Sequence, residues 1–160
     1  MALFVSGMPC CICGKPMRSA NEILMFSPFI ADRSDPLFVF SDAIVHTACF
    51  VQHPLSDQVT KWHDETVRNQ RATERTCAAC GKPILNPDDY FGTGLLARDP
   101  ANPLHEFNFV HLHRSHAEGW TRFAEFRRKM EEAFASGMWQ GPRLAFGTAL
   151  AEKVRWMRRQ

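Results

Sequence analysis

The stretch Cys10-Cys11-Ile12-Cys13-Gly14-Lys15-Pro16 recurs further along the chain as Cys77-Ala78-Ala79-Cys80-Gly81-Lys82-Pro83. When the alignment is continued without a gap, residues 10–49 share ten identities with residues 77–116. About two or three identities would be expected by chance over that length. The chain is therefore predicted to contain two copies of one unit.

The ends of the two copies indicate a metal. His46 aligns with His113, and Cys49 aligns with His116. A Cys/His exchange preserves little except the ability to bind a metal ion. Each copy thus carries C-x-x-C and then, after a long segment of equal length in both, H-x-x-C or H-x-x-H.

Structural zinc sites take four tetrahedral Cys and His ligands. Glycine directly after each C-x-x-C suits the positive φ of a tight knuckle, and one helical turn brings positions i and i+3 to one face. Because all four positions are filled, no place is left for a catalytic water, and two structural Zn²⁺ ions are expected. The predicted ligands are Cys10, Cys13, His46 and Cys49 at the first site and Cys77, Cys80, His113 and His116 at the second.

These eight residues, with the apolar Val45 and Leu112 before the histidines, resemble the treble-clef zinc fingers. In that superfamily a knuckle gives two ligands, a β-hairpin follows, and the first turn of a helix gives the other two. The resemblance covers about residues 10–52 and 77–134. It implies a fold and a metal but no activity, because the superfamily includes DNA binders, protein-interaction modules and nucleases.

Apolar runs place the remaining elements. Each copy is predicted to form a hairpin, from 23–30 with 37–40 and from 90–96 with 104–112. A helix at about 57–72 follows Ser56 as a connector, a longer helix runs from beyond His116 to Ser136, and a last helix follows Pro142. The prediction is an α+β protein with two tandem treble-clef-like zinc modules, a connecting helix and a helical C-terminal extension. The predicted boundaries are 1–72, 73–136 and, for the basic C-terminal helix, 137–160.

Composition supports metal over disulfides. The N-terminus lacks the charged region of a signal peptide, and no run approaches the roughly 18 apolar residues of a membrane span. A cytoplasmic location with reduced thiols is therefore expected. A redox role for the C-x-x-C pairs is disfavoured because the βαβ context of a thioredoxin-like motif is missing. Cys11 is expected to be a free thiol.

Charge and the lack of an assembled active site favour protein binding. The net charge is +2, and the basic excess falls in residues 120–160 rather than in the finger segments, whereas nucleic-acid binders usually show a strong basic footprint. The leading hypothesis is a non-catalytic zinc-stabilised protein-binding module, such as an inhibitor or immunity-type partner of another protein. The alternative is a nucleic-acid-binding or regulatory protein that uses the basic C-terminal helices.

Several single residues complete the predictions. A third hypothesis, an HNH-like metal-dependent nuclease, would use His105, Asn108 and His111, but the residue before His105 is apolar where that family usually has an acidic one. His111 is expected to be a strand residue beside the second site, because taking it as a ligand would break the repeat offset. His53 and His63 are expected to be surface histidines. Trp139 and Trp156 are expected to be exposed anchors for a partner.

Overall fold

The computed structural model describes residues 4–71, 73 and 75–142. These residues form a small α+β architecture with three α-helices and two two-stranded antiparallel sheets. None of the helices in this described part is both long enough and apolar enough to cross a membrane. The chain divides into two compact units, Met1–Arg68 and Asn69–Gln160. The elements in chain order are β1 (Ile23–Met25), β2 (Ile44–His46), α1 (Thr47–Val51), α2 (Ser56–Asn69), β3 (Tyr90–Gly92), β4 (His111–His113) and α3 (Phe123–Ala135).

The hairpins are shorter than predicted, with β2 lying after the predicted segment 37–40 and β4 lying at the end of the predicted segment 104–112. β1 pairs with β2 so that Ile23 lies opposite His46, and β3 pairs with β4 so that Tyr90 lies opposite His113. The predicted strands at 37–40 and at the start of 104–112 are wrong, since Phe38–Phe40 and His105–Phe107 form 3-10 turns. Phe40 and Phe107 are fully buried. These two residues are therefore apolar because they are buried in turns, and not because they belong to strands.

One polar side chain holds the long loop of each hairpin. In the first unit, Ser41 Oγ accepts hydrogen bonds from the N–H groups of Phe29 (3.0 Å) and Ile30 (3.2 Å) and donates to the Ile30 carbonyl (2.8 Å). In the second unit, Asn108 stands at the position that aligns with Ser41. Its Oδ1 accepts from the N–H groups of Leu96 (2.7 Å) and Ala97 (3.0 Å), and Nδ2 donates to the Ala97 carbonyl. Both loops therefore satisfy their backbone groups without a long sheet.

The core of the first unit is an aromatic cluster beneath the hairpin. Phe26 lies 4.9 Å from Phe50 and 6.5 Å from Phe40 between ring centroids, separations at which aromatic pairs attract beyond their area burial. From α2, Val59 is completely buried. This helix, expected at about 57–72, ends at Asn69.

Two histidines predicted to lie on the surface contribute to this core. The His63 ring packs edge-on against Phe26 (5.3 Å) and Phe29 (5.7 Å), and the His53 ring packs against Phe40 (5.0 Å). The side chain of His63 is only 18% exposed. The surface prediction is wrong because an isolated histidine in the sequence gives no sign of the rings that meet it.

The core of the second unit forms between α3 and the hairpin loop. The Phe107 ring lies 5.0 Å from Phe126 and 6.1 Å from Trp120. Trp120 lies in the turn before α3, so the helix begins later than predicted. Trp139 is 2% exposed, and its backbone N–H donates to the Ala133 carbonyl at 3.0 Å. It is therefore no exposed anchor, while Trp156 and the predicted last helix lie outside the described residues.

The knuckles require glycine. Gly14 and Gly81 have φ values of +70° and +69°, and an added Cβ would meet no atom within 4 Å at either position. The cost of a side chain there is therefore backbone strain alone. Each glycine N–H donates to the carbonyl of the first cysteine of its pair at 2.8 Å.

We expect Gly81→Ala to lower the free energy of unfolding by about 1 kcal/mol, and Gly81→Asn by less, because asparagine tolerates positive φ. Urea unfolding measures both. Gly119→Ala is the matched control, since its Cβ would lie at an ordinary 3.7 Å from the His116 carbonyl and its φ is not positive. Equal stability of Gly81→Ala and the wild type would contradict a left-handed knuckle.

Candidate metal centres

Two groups of four Cys and His side chains come together, one in each unit. They are Cys10, Cys13, His46 and Cys49, and Cys77, Cys80, His113 and His116. In each group the four ligand atoms lie within 4.8 Å of one another. A knuckle supplies the first two side chains, and the end of β2 or β4 with the following turn supplies the others.

The spacings within the groups suit a tetrahedral ion. In the first group, His46 Nδ1 lies 3.5 Å from Cys13 Sγ and 3.9 Å from Cys49 Sγ. In the second, Cys80 Sγ lies 3.6 Å from His113 Nδ1, and Cys77 Sγ lies 3.8 Å from His116 Nδ1. Zinc bonds of about 2.3 Å to sulfur and 2.0 Å to nitrogen imply ligand separations of roughly 3.3–3.8 Å. Each group could hold one metal ion, consistent with zinc.

Backbone N–H groups prepare the buried sulfur of each knuckle. The His46 N–H donates to Cys10 Sγ at 3.4 Å, and the His113 N–H donates to Cys77 Sγ at 3.3 Å. Burial by itself would raise the pKa of Cys10, but hydrogen bonds from the N–H groups of Cys13, His46 and Ile12 together lower it to about 6. The pKa of Cys77 is also lowered to about 6, against the effect of burial, by the His113 N–H and the His116 ring. Both sulfurs are thus set up as thiolates, the form that binds metal.

The first group also shows what a bound cation would change. The pKa of Cys49 is raised to about 11, chiefly by its hydrogen bond with the Cys13 thiol, then by burial and by the charges of Cys13 and Cys10. Three thiols at this separation cannot all ionise unless positive charge lies among them. A divalent cation would remove this conflict.

The fourth side chain is positioned differently in the two groups. Cys49 lies in α1, whereas His116 closes a 3-10 turn, Arg114–His116. Asp89, before β3, holds that turn. Its carboxylate accepts from the Ser115 N–H (2.9 Å) and hydroxyl (3.2 Å), and the N–H bond is the main reason why the Asp89 pKa is lowered. In the second unit this side-chain contact positions the fourth ligand, whereas α1 does so in the first unit.

The three residues of the nuclease hypothesis make different contacts. Asn108 uses its amide on the backbone of Leu96 and Ala97. His111 lies in β4, and its Nδ1 is 3.0 Å from the Tyr90 hydroxyl. Burial, and then the charge of Arg75, lower the pKa of His111. His105 lies in the 3-10 turn His105–Phe107. Apart from these residues, Cys11 is an exposed free thiol.

A row of Ser27, His63 and Asp64 was not predicted from the sequence. Ser27 Oγ lies 3.1 Å from His63 Nε2, and Asp64 Oδ1 lies 3.3 Å from His63 Nδ1. The order matches that of a nucleophile, a base and an orienting acid. Since His63 packs against the aromatic core and Asp64 is 64% exposed, the row also satisfies both nitrogens of a half-buried ring. No sequence motif links Ser27 with His63, so only folding reveals the contact.

No protein-family model, curated protein or solved structure matches this chain. The chemistry of the two groups and of the surfaces beside them is therefore the basis for assigning a function.

Asn108→Ala should lower the free energy of unfolding of the second unit by about 2–3 kcal/mol, because it leaves the N–H groups of Leu96 and Ala97 without their partner. Thermal unfolding of the metal-loaded protein measures the effect. Asn86→Ala is the control, since this exposed amide accepts one hydrogen bond, from the Asp88 N–H. An effect no larger than that of the control would show that Asn108 does not hold the loop.

Proposed function

We propose that this chain is a non-catalytic, zinc-stabilised protein-binding protein built from two copies of a treble-clef-type module. The observation that carries the proposal is the pair of four-ligand groups, each with all tetrahedral positions supplied by Cys or His. The order of knuckle, hairpin and ligand-bearing turn in both units supports the treble-clef assignment. Equivalent hydrogen bonds at matching positions of the two copies, such as those to Cys10 and Cys77, support the repeat.

Zinc in these groups would be structural. Three thiolates and one Zn²⁺ leave a net charge of −1 in the first group, and two thiolates leave the second neutral. Neither set keeps a ligand position for water. Each unit is small and its strands are very short, so the ion would contribute a large part of the stability.

The other polar clusters support a non-catalytic role. Asn108 serves the backbone of its loop. In the Ser27–His63–Asp64 row the acid is largely exposed, so water competes for its hydrogen bond with the ring. A buried orienting acid is what gives a serine triad its strength. We assign this row to packing.

We expect purified protein to hold two zinc ions per chain. Removing them should lower the melting temperature by roughly 20 °C or more, because the binding energy of structural zinc is folding energy. Elemental analysis and thermal unfolding with and without a chelator measure this. A chain without tightly held metal, or an unchanged melting curve after chelation, would contradict a structural role.

The two groups also provide matched variants. His116→Cys gives the second group the ligand types of the first and should keep two ions, whereas His116→Ala should keep one. After Co²⁺ substitution, His116→Cys should strengthen the thiolate charge-transfer band, because the second ion gains a third sulfur. His111→Ala should still hold two ions. If His111→Ala loses one ion and His116→Ala keeps both, the ligand is His111 and not His116.

Exposed apolar side chains support binding to another protein. Val51 at the end of α1 is 70% exposed, and Leu85 after the second knuckle is 86% exposed. Val51 borders an open cavity of about 670 Å³ beside the first group, together with Thr47 and Gln52. Apolar side chains on a metal-rigidified surface suit contact with a protein, since they are presented in one conformation at little entropic cost. A cytoplasmic inhibitor or immunity-type partner is the form that we propose.

The cations on and just before α3 do not favour the nucleic-acid alternative. Arg127 and Arg128 pair with Glu131 and Glu132 one turn later on α3. Arg122 and Lys129 both pair with Glu106 and Glu125. These four cations are paired with acidic side chains of the same unit, and the basic residues of the predicted C-terminal helix lie outside the described part of the chain. A gel shift that weakens steeply with salt would favour nucleic acid instead.

Val51→Asp should abolish a stable complex that the wild type forms in native lysate, because a carboxylate cannot be buried in an apolar contact. Size-exclusion chromatography of lysates with tagged protein measures complex formation. Val39→Asp, at a valine that is 51% exposed, is the control and should keep the complex, and zinc content checks the fold of both. A wild type that elutes alone from every lysate would refute protein binding.

A further inference from the structure

The second unit contains a cavity that plays no part in the proposed function. It has a volume of about 330 Å³ and lies beside the outer end of the β3–β4 hairpin. That volume lies within the range of small-ligand pockets. The residues that line it are Gln70, Arg75, Tyr90, Gly92, Thr93, Gly94, Phe109 and His111.

Three of these side chains form one connected group. The Arg75 guanidinium lies 4.1 Å above the centre of the Tyr90 ring. The Tyr90 hydroxyl lies 3.0 Å from His111 Nδ1. Arg75 is itself held in place, since Nε donates to the Gln70 carbonyl at 3.1 Å and Nη2 donates to the same oxygen. A cation, a hydroxyl and an imidazole are thus fixed together at the wall of one cavity.

The first unit shows that the hairpin does not need this group. In the alignment of the two copies, Met8, Ile23 and Ile44 stand where the second unit has Arg75, Tyr90 and His111. Ile23 and Ile44 lie in β1 and β2, in the same register as Tyr90 and His111 in β3 and β4. Aliphatic side chains therefore suffice for the strand pairing, and the polar set in the second unit calls for another explanation.

Two further positions are adapted to the cavity. An added Cβ at Gly92 would lie 2.1 Å from the Tyr90 hydroxyl, so the ring can occupy its place only because this residue is glycine. Met25 stands at the equivalent position of the first unit. Phe109 has a φ of +56°, where the first unit has Asp42 at +58°. Aspartate tolerates this backbone region far better than a bulky residue, so Phe109 accepts strain at a place where it lines the cavity.

We infer that this cavity binds a small ligand that carries a phosphate or carboxylate group. Of the described residues that line it, none is acidic, and Arg75 supplies positive charge. Guanidinium groups bind both kinds of oxyanion with charge-assisted hydrogen bonds. Tyr90, His111 and Phe109 supply a hydroxyl, an imidazole and an apolar wall, the mixture typical of small-ligand sites. The inference goes beyond the proposed function and needs no partner protein.

Tyr90 is the only tyrosine in the chain, so tyrosine labelled only at the ε carbons of its ring gives a single NMR signal at the cavity. The full-length, zinc-loaded protein is titrated with sodium phosphate, sodium acetate and phenyl phosphate at an ionic strength held constant with sodium chloride. A saturable shift of the Tyr90 signal is expected with at least one of them. Phosphate or phenyl phosphate alone would identify a phosphate ligand, and acetate alone a carboxylate.

Labelled methionine methyl groups provide the internal control. Met8 and Met25 occupy the equivalent places in the first unit, and their signals should not move. Arg75→Gln should weaken binding about tenfold, the loss typical of one charge-assisted hydrogen bond, while zinc content and the methionine spectrum stay unchanged. Arg75→Lys should bind with intermediate affinity.

Two results would overturn the inference. One is a Tyr90 signal that shows no saturable shift with any of the three anions up to about 50 mM. This concentration is well above the dissociation constant expected even for small, weak ligands. The other is an equal shift in the wild type and in Arg75→Gln, which would show that the guanidinium takes no part. If zinc is retained in either case, the proposed structural role of the metal is unaffected.

Discussion

Within each unit, four side chains from two distant places in the chain bring their ligand atoms within 4.8 Å of one another. Thiolates at that distance repel, and the Cys49 pKa of about 11 beside a Cys10 pKa of about 6 records the conflict. The backbone lowers part of the cost, since N–H groups point at the buried sulfur of each knuckle. A divalent cation among the four ligand atoms would balance the rest of the charge. Knuckle, hairpin and ligand turn all meet at these four atoms.

The units bring these side chains together with very little regular structure. Each sheet consists of two very short strands, too few to be stable alone in water. Ser41 and Asn108 organise the long loops by satisfying backbone groups, and Phe40 and Phe107 anchor the same loops in the cores. The position of each loop thus depends on one polar and one aromatic contact, which explains how the long segment between the ligand pairs is ordered without longer strands.

The two units keep the same supporting contacts but differ on their surfaces. The knuckle glycines, the hairpin register and the loop anchors recur at aligned positions of the two units. The outer side of the hairpin differs, since Met8, Ile23 and Ile44 in the first unit are replaced by Arg75, Tyr90 and His111 in the second. Features common to both units serve the fold, because each unit needs them. A feature present in only one unit, such as the Arg75–Tyr90–His111 group, is not needed for the fold and is a candidate for a separate binding function.

The sequence by itself determined which eight side chains would lie together, where the knuckles need glycine, and that a connecting helix starts at Ser56, because these features depend on local spacing and on the donor chemistry of Cys and His. Tertiary structure decided which segment pairs with β1 and β3, because several apolar runs compete for that place and only long-range packing selects among them. It also decided that His63 packs against the aromatic core and contacts Ser27, and that Trp139 is buried. Tertiary structure likewise decided the cavity at Arg75, Tyr90 and His111. These three residues are far apart in the sequence and meet only when the hairpin forms.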